Sequence, residues 1–322
     1  MNYKIATAEE WDAVIRDNPR STFFQKRAWI ELWEKMIPES ESLCYVFEDN
    51  YANKIYWPGL KRNMFKGFVQ RFDSSPEGTY GGFLSLIEPD SLALSGILKK
   101  VKFSMSYTIR QKIDPKILFY DGMSIVDTTQ VINLSNWNIG NENYNQNIRR
   151  NIAKAIKNKV EIKESESVED WKLYFGMYRQ SLKRWKKNPE TMYPFSFFEK
   201  LRDEKRLNTK LWLARIGDEY IYGCLVFYHN KTAYYWHGSG LQKSLEAGAS
   251  SYLQHTIIQK LKEEGYLWYD LMPNGGKESL YQFKAGLHAI EQPVFGITHK
   301  TNKYILFEKV SKIKTKILGN EY

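Results

Sequence analysis

Residues 232–287 read TAYYWHGSGLQKSLEAGASSYLQHTIIQKLKEEGYLWYDLMPNGGKESLYQFKAGL, and this stretch decides the fold. An aromatic strand leads into a loop that holds Gly240 and Gly248, and an amphipathic helix, a second aromatic strand and a short helix follow. The first N–H groups of a helix have no intrahelical acceptor, and the helix dipole adds positive potential there. The pattern therefore predicts a phosphate-bearing cofactor where the loop meets the helix.

Composition places the chain among ordinary globular proteins, because 43% of its residues are hydrophobic and 26% are charged. Its 322 residues exceed the usual size of one hydrophobic core, so we expect two domains. Cys44 and Cys224 both lie in apolar strand-like runs, which favours buried free thiols in a reducing compartment. The sequence has no metal-binding spacing, signal peptide or membrane-spanning run, so we expect a cytoplasmic protein without a metal.

The net charge of +10 predicts an anionic partner. Much of the excess lies in residues 149–163 and 300–316, and the basic tail is typical of a solvated surface. A phosphorylated small molecule would match this charge. The alternative is a non-catalytic protein that binds a polyanion such as a nucleic acid.

The polar residues 138–147 divide the chain into expected domains at 1–140 and 141–322. Each half repeats a strand–helix–strand unit, at residues 78–110 and 232–272, which indicates an α+β fold with mixed sheets. In the first unit acidic residues stand at the helix start, namely Glu88 and Asp90, where carboxylates would repel a phosphate. We therefore expect the second domain to hold the cofactor and the first to be an acceptor platform.

Several motifs follow one another in an order that resembles a known family. They are FFQKRAW (23–29), TYGGFLS (79–85), NIRRNIAKAIKNKVEI (147–162), SLKRW (181–185), YPFSFFEKL (193–201), GYLWYDL (265–271) and FKAGL (283–287). Together they resemble the tandem GNAT-fold acyltransferases related to the Fem-type peptidoglycan aminoacyltransferases. The resemblance implies two GNAT-like domains, each a mixed twisted sheet flanked by helices, with the donor in the cleft of the second.

Two departures from the Fem-type pattern decide which branch of this family we favour. The second half has no heptad-rich insertion for a helical arm, and Trp33 replaces the lysine that usually follows the matching Gln25 and Trp29. Similar arm-less proteins include N-acyltransferases that use acyl-CoA. We therefore expect acyl transfer to the amino group of a dTDP- or UDP-linked amino sugar for cell-surface polysaccharides. Aminoacyl transfer from charged tRNA to a peptidoglycan precursor is the alternative.

Three side chains are candidates for catalysis. Asp270 ends an apolar strand and either accepts the proton of the attacking amine or caps the following turn. His237 lies on the first aromatic strand and titrates near neutrality, unless it is a core imidazole. The resemblance implies that Tyr281 protonates the departing thiolate, with simple packing as its other role.

The donor site is expected along the first aromatic strand and the loop that follows it. Its residues are Trp236, Gly238, Ser239, Gln242, Lys243, Gly248, Ala249, Ser250 and Lys284. Backbone groups of the strand would bond the pantetheine arm, and the loop would hold the diphosphate. Lys284, in the Phe-Lys pair of the family, would neutralise a phosphate or the oxyanion, unless it is a surface lysine.

The acceptor site is expected to draw on both halves. Arg184 and Tyr193 match acceptor-side residues of the family, and arginine can bind a phosphate through two hydrogen bonds. Tyr80 and Gly81 lie beside a second glycine, which indicates close approach of the backbone to a ligand or a bulge without function. Trp185 is an aromatic candidate for the lining of a base or sugar pocket.

Overall fold

The computed structural model of the protein describes residues 3–74, 76–89, 91–112, 122–138, 140, 142–184 and 193–318, with backbone only for 312–318. Trp185 and Asp90, which the sequence analysis singled out, lie outside the described residues. The chain forms two compact units. One joins Met1–Asp127 to Pro293–Tyr322, and the other is Thr128–Gln292. These bounds differ from the expected division at 140/141, because the last strand and helix return to the first unit.

The described residues contain both runs of consecutive strands and runs of consecutive helices. The strands are β1 (Tyr3–Ile5), β2 (Ser40–Glu48), β3 (Lys54–Met64), β4 (Val69–Asp73), β5 (Ser106–Lys112), β6 (Ser124–Asn133), β7 (Glu161–Ser165), β8 (Thr209–Ile216), β9 (Glu219–His229), β10 (Thr232–Gly240), β11 (Trp268–Pro273) and β12 (Ile290–His299). The helices are α1 (Ala8–Asp17), α2 (Arg27–Glu34), α3 (Ser91–Val101), α4 (Gln146–Lys157), α5 (Val168–Arg184), α6 (Phe195–Asp203), α7 (Gln242–Ala247), α8 (Ala249–Glu263), α9 (Glu278–Gly286) and α10 (Asn302–Leu318).

The first unit is built on a mixed sheet with strand order β1-β2-β3-β4-β5-β12. Only the β4–β5 pair among these is parallel, and α3 makes the crossover between its two strands. Trp57 and Phe72 pack edge to face in a core that also contains Leu94 and Ile97 from the buried face of α3. Parallel pairing with a helical crossover is typical of α+β and α/β sheets.

One predicted strand of this unit is wrong. Residues 79–85 are irregular, and their backbone makes a single bridge, between Leu84 and Tyr56. Gly82 has a left-handed φ of +110°, and a Cβ there would lie 2.5 Å from the side chain of Gln111. This segment therefore cannot form a regular strand. The strand that pairs in parallel with β5 is instead β4.

The second unit is built on a mixed sheet with strand order β6-β11-β10-β9-β8-β7. The β10–β11 pair is parallel and its neighbours are antiparallel. Alternate residues of β9, including Cys224 and Val226, pack with buried residues of α4 and α8 in one core, while α5 contacts β9 and β10. These sheets and helices confirm the α+β fold class, with mixed sheets flanked by helices.

Local sequence explains why α4 and α8 occupy the same layer. Asn145 caps α4, because its side-chain oxygen accepts a hydrogen bond from the Ile148 N–H at 2.9 Å. Spacing of three and four residues places the apolar side chains of each helix on one buried face. They are Ile148, Ile152 and Ala155 on α4 and Leu253, Ile257, Ile258 and Leu261 on α8.

The loop expected between β10 and α8 is instead the short helix α7, followed by Gly248. Gly248 has a left-handed φ of +72°, and a Cβ there would lie 2.2 Å from the Asn151 carbonyl oxygen of α4. Glycine is required for two reasons: the backbone conformation and the close approach of α4. Within the described residues, no helix has both the length and the apolarity to cross a membrane.

We expect Ile257→Ala to lower the free energy of unfolding by about 2–5 kcal/mol, because the substitution leaves a cavity between α8 and the sheet. Chemical denaturation followed by tryptophan fluorescence measures this change. The matched control is Ile156→Ala, since Ile156 is 58% exposed on α4. An equal loss of stability in both variants would contradict the placement of α8.

Candidate active site

The parallel strands β10 and β11 diverge near their carboxyl ends. They pair at Thr232↔Trp268, Ala233↔Tyr269 and Tyr234↔Asp270, and the pairing ends there. Strand β10 continues to Gly240, where it is paired with β9 alone. The backbone edge of residues 235–240 therefore faces an opening instead of a neighbouring strand.

Irregular backbone on both strands produces this divergence. On β10 the register with β9 shifts between Tyr235 and His237, which makes Trp236 a bulge. On β11 the register with β6 shifts between Asp270 and Pro273, and Met272 has a left-handed φ of +60°. Bulges next to an opening in a sheet are common at functional sites.

The opening belongs to a cleft of about 940 Å³ in the second unit. Of the residues expected from the sequence, those that line it are Arg184, Trp236, His237, Gly238, Ser239, Gly248, Ser250 and Lys284. Lining residues that the sequence analysis missed include Asn145, Asn151, Tyr222, Tyr235, Ser251, Met272 and Lys277. No local sequence pattern identifies these seven residues. They lie on five separate helices and strands and in two loops, which come together only in the folded protein.

The amino end of α8 opens into this cleft. The first helical hydrogen bond runs from the Tyr252 N–H to the Gly248 carbonyl, at 3.2 Å. The N–H groups of residues 249–251 therefore have no intrahelical acceptor. Gly248 and Ser250 line the cleft, and Ala249 is fully buried beside them. This end of the cleft can bind an anion.

The floor of the cleft requires glycine on β10. A Cβ on Gly238 would lie 2.1 Å from the Tyr235 hydroxyl and 2.7 Å from the Tyr222 hydroxyl. These two hydroxyls bond each other at 2.8 Å, and burial raises the pKa of both phenols. Both tyrosines are therefore neutral hydrogen-bonding groups at physiological pH, with β10 backbone close above them.

His237 is a neutral imidazole, which corresponds to the core role that the sequence analysis kept open for it. Its Nδ1 is hydrogen-bonded with the hydroxyl of the fully buried Tyr174, and its ring packs 4.7 Å from the ring of Tyr178. Burial lowers the pKa of His237 to about 4. The ring therefore carries no charge in the physiological range.

Asp270 is fully buried and is not among the residues that line the cleft. Its Oδ1 accepts hydrogen bonds from the Thr129 hydroxyl at 2.6 Å and from the Met272 N–H at 2.8 Å. The hydrogen bond from the Met272 N–H closes a turn at the end of β11. This resembles the turn-capping role that the sequence analysis gave as the alternative for Asp270. The part of Asp270 as a base stays a prediction, and this geometry favours a positioning role.

Lys284 is a buried lysine, so a surface role for it is wrong. Only 1% of it is exposed, and it lines the cleft from α9. Its Nζ donates hydrogen bonds to the carbonyl oxygens of Met272 at 2.6 Å and Pro273 at 3.2 Å. A buried ammonium needs such partners. This one brings positive charge to the point where β10 and β11 diverge.

Tyr281 is not placed at the cleft. The residues on either side of it, Leu280 and Gln282, line the cleft, but Tyr281 is not among the lining residues. A hydrogen bond with the Glu291 carboxylate raises the pKa of the Tyr281 phenol. Its role as a proton donor to the thiolate stays a prediction.

The remaining donor candidates lie on α7, outside the cleft. Gln242 and Lys243 are exposed, and Lys243 forms a salt bridge with Glu219. The sequence predicted a diphosphate loop at these positions. Because the segment folds as a helix, the N–H groups without an intrahelical acceptor are instead those that follow Gly248.

The acceptor candidates of the second unit lie close to β10. Arg184, at the exposed end of α5, lines the cleft, and its Nη2 donates to the Ser181 hydroxyl at 3.4 Å. Tyr193 stacks on Phe197 with ring centroids 4.9 Å apart and lies 5.3 Å from the ring of Trp236. Aromatic surface therefore adjoins the cleft at the Trp236 bulge.

The acceptor candidates of the first unit are structural in their contacts. Tyr80 is fully buried, and its ring packs edge to face on Phe24 at 5.7 Å. The Gly81 N–H donates to the Arg110 carbonyl at 2.7 Å. The predicted acceptor role of Tyr80 and Gly81 stays a prediction, and these contacts favour the alternative without function.

Comparisons with known proteins identify the class of the second unit. Residues 142–285 match the family described as acetyltransferase (GNAT) domain. This match covers the second unit and indicates a transferase with a GNAT-type domain there. No curated protein matches the sequence significantly.

Solved structures with the same fold cover nearly the whole chain. A structure of FemX matches with a TM-score of 0.71 at 12% identity, over 92% of this chain and 97% of that one. The C-terminal domain of a lysylphosphatidylglycerol synthetase described as putative, from Agrobacterium fabrum, matches with a TM-score of 0.60 at 10% identity, over 95% of each chain. A tandem GNAT protein from the clavulanic acid pathway matches with a TM-score of 0.52 at 7% identity, over 94% and 99%. At these identities the likeness concerns the fold.

We expect the His237 ring to stay neutral from pH 8 down to about pH 5, because burial lowers its pKa to about 4. The folded pKa lies below the unfolded value of about 6.5, so this group contributes stability above pH 6.5 that is lost as pH falls toward 4. NMR titration of ring-labelled histidine measures this directly, with His237→Gln assigning the signal. A midpoint near 6.5 would contradict the buried environment.

Proposed function

We propose that the protein transfers an acyl group from acyl-CoA to the amino group of a nucleotide-linked amino sugar. One observation carries the proposal. The opening between β10 and β11 is continuous with the cleft that reaches the unpaired N–H groups of α8. A site for a thioester with a diphosphate at its far end needs three parts in order. They are an apolar slot for the chain, hydrogen-bonding groups along the slot and an anion site at its end.

The donor binds along β10. The diphosphate accepts hydrogen bonds from the N–H groups at the start of α8, with the Ser250 hydroxyl beside them. The pantetheine amides bond to the edge of residues 236–239, which has no β11 partner. The thioester carbonyl then lies where the strands diverge, within the field of the Lys284 ammonium.

The chemistry is direct attack of an amine on this carbonyl. A C–N bond forms, an oxyanion develops, and the C–S bond then breaks to release the coenzyme thiolate. Lys284 and a backbone N–H of β10 stabilise the oxyanion. The proton of the attacking amine passes to water, because the titratable side chains named here at the cleft are phenols, cations and an imidazole of low pKa.

The acceptor approaches from the side of the aromatic surface at Trp236. Arg184 can bind a phosphate of the nucleotide through two hydrogen bonds, and Tyr193 with Trp236 can stack on a base or sugar ring. The net charge of +10 supports an anionic acceptor. A nucleotide-linked sugar combines these features.

Aminoacyl transfer from tRNA to a peptidoglycan precursor is the second candidate. The whole-chain similarity to FemX and to the lysylphosphatidylglycerol synthetase domain favours it. The donor is then an ester on the 3′ end of an RNA, and its phosphodiester would take the anion site of α8. The two candidates therefore differ in donor and share the cleft.

We expect coenzyme A to bind with measurable heat in calorimetry, and we expect Ser250→Glu to weaken this binding roughly tenfold. A carboxylate at a helix start stabilises the helix but repels a diphosphate there. Ser196→Glu, in the first turn of α6, is the matched control because α6 does not line the cleft. Tight binding of tRNA with no heat from coenzyme A would replace the first candidate by the second.

We expect Lys284→Met to reduce kcat by about 10²–10³-fold with little change in KM for the donor, because the oxyanion loses a cationic partner. Steady-state kinetics with free coenzyme A detected by a thiol reagent measures both constants. Lys284→Arg keeps the charge and the donors to the two carbonyls, and we expect it to restore stability and part of the activity. A rise in KM alone would assign Lys284 to donor binding.

A further inference from the structure

A surface of the first unit combines exposed phenylalanines with lysines. The tight turn between β3 and β4 presents Phe65 and Phe68, which are 70% and 54% exposed, and the turn after α3 presents Phe103, which is 82% exposed. Lys66, Lys102 and Lys303 stand among them. We call this set of six residues the Phe–Lys surface.

Contacts join these residues into one surface. The rings of Phe65 and Phe68 are 6.5 Å apart, and the Lys303 Nζ lies 4.9 Å from the centre of the Phe68 ring. Lys102 lies in the same way over Phe103, at 5.0 Å. Phe68, Lys102, Phe103 and Lys303 also line one depression of about 620 Å³.

Helix α10 extends the apolar part of the surface. Leu306 is 58% exposed and Val310 is 53% exposed, and both share a helix face with Lys303 at spacings of three and seven residues. Phe307 connects this helix to the turn, because its ring lies 6.3 Å from that of Phe65. Exposed apolar side chains that cluster in this way mark an interaction site.

Charge decides which partner fits. Within the described residues, Lys66, Lys102 and Lys303 form no salt bridge, and the carboxylate nearest in sequence on α10, Glu308, is paired with Lys300 at 2.8 Å. The surface is therefore cationic as well as apolar. Aromatic side chains enter the boundary between headgroups and acyl chains, while lysines attract anionic headgroups from just above it.

We propose that the Phe–Lys surface binds the surface of a bilayer that contains anionic phospholipid. The phenylalanine rings enter the interface, and the lysines contact lipid phosphates. The phenylalanine rings lie at the tips of two separate turns, and lysines line the depression between them. Binding to another protein would require neither of these features. The inference is independent of the proposed function, because the surface lies in the first unit and the donor cleft in the second.

The test is sedimentation of the full chain with vesicles of phosphatidylcholine alone and of phosphatidylcholine mixed with phosphatidylglycerol. We expect binding to the anionic vesicles only, weakening as salt rises. Lys102→Gln with Lys303→Gln is expected to reduce the partition coefficient about fivefold per lysine. Phe65→Ser, Phe68→Ser and Phe103→Ser together are expected to reduce it about tenfold or more.

Matched controls are Tyr51→Ser, at a residue that is 85% exposed on another turn, and Lys205→Gln, whose side chain is 79% exposed. Both are expected to bind like the unchanged protein. No binding to anionic vesicles, or equal binding by the surface variants and the controls, would overturn the proposal. Displacement by inorganic phosphate beyond that caused by sodium chloride at matched ionic strength would also overturn it, in favour of a site for free anions.

Discussion

The turn at the end of β11 is the constraint on which the second unit depends. Asp270 binds the Met272 N–H from within the core, and Lys284 binds the carbonyls of Met272 and Pro273 from the cleft side. Each of these buried polar groups would cost about 1–3 kcal/mol if it were left without a partner. These bonds hold the irregular end of β11 where it separates from β10 after three pairs, while β11 stays paired with β6 as far as Pro273.

The hydrogen bonds of Asp270 and Lys284 at this turn also determine the shape of the cleft. A substitution that changes these bonds would therefore change the cleft. A residue that is absent from the cleft, such as Asp270, still controls its shape through the backbone of Met272. Lys284 belongs to both the turn and the cleft, because it satisfies the turn and lines the opening. The positive charge at the site is therefore positioned by the fold itself and does not depend on a mobile surface side chain.

The similarity of fold cannot decide between the two donors. An acyl-CoA and an aminoacyl-tRNA both present an activated carbonyl beside a phosphate-bearing chain, and the GNAT domain offers backbone groups and a helix start to each. The identities of 12% and 10% to the FemX structure and the synthetase domain leave side-chain chemistry free to differ. In the proposed function, the choice of donor would come from the side chains that line the cleft.

The spacing and chemical type of residues were sufficient to predict the helix and strands that form the cleft. The apolar spacing of α8 and the aromatic strands on either side of it are local features, and the structure has both. Local reasoning failed where packing at long range decided the outcome. Residues 242–247 fold as a helix instead of the expected loop.

The boundaries between the two units could not be predicted from local sequence patterns. Strand β12 pairs with β5 along residues 294–299, a partner more than 180 residues earlier that no local pattern identifies. A polar stretch near residue 140 marks a loop as readily as a boundary. The bounds of a unit therefore followed from strand pairing and not from composition.

The return of β12 to the first unit has a consequence for synthesis on the ribosome. The second unit is one continuous segment, Thr128–Gln292, and its strands can all pair once that segment has emerged. The first unit must wait for Pro293–Tyr322, and until then the edge of β5 that receives β12 has no strand to pair with. Nascent chains fold domain by domain, so the unit that starts first along the chain is completed last, and its open edge is the segment that a chaperone would need to protect.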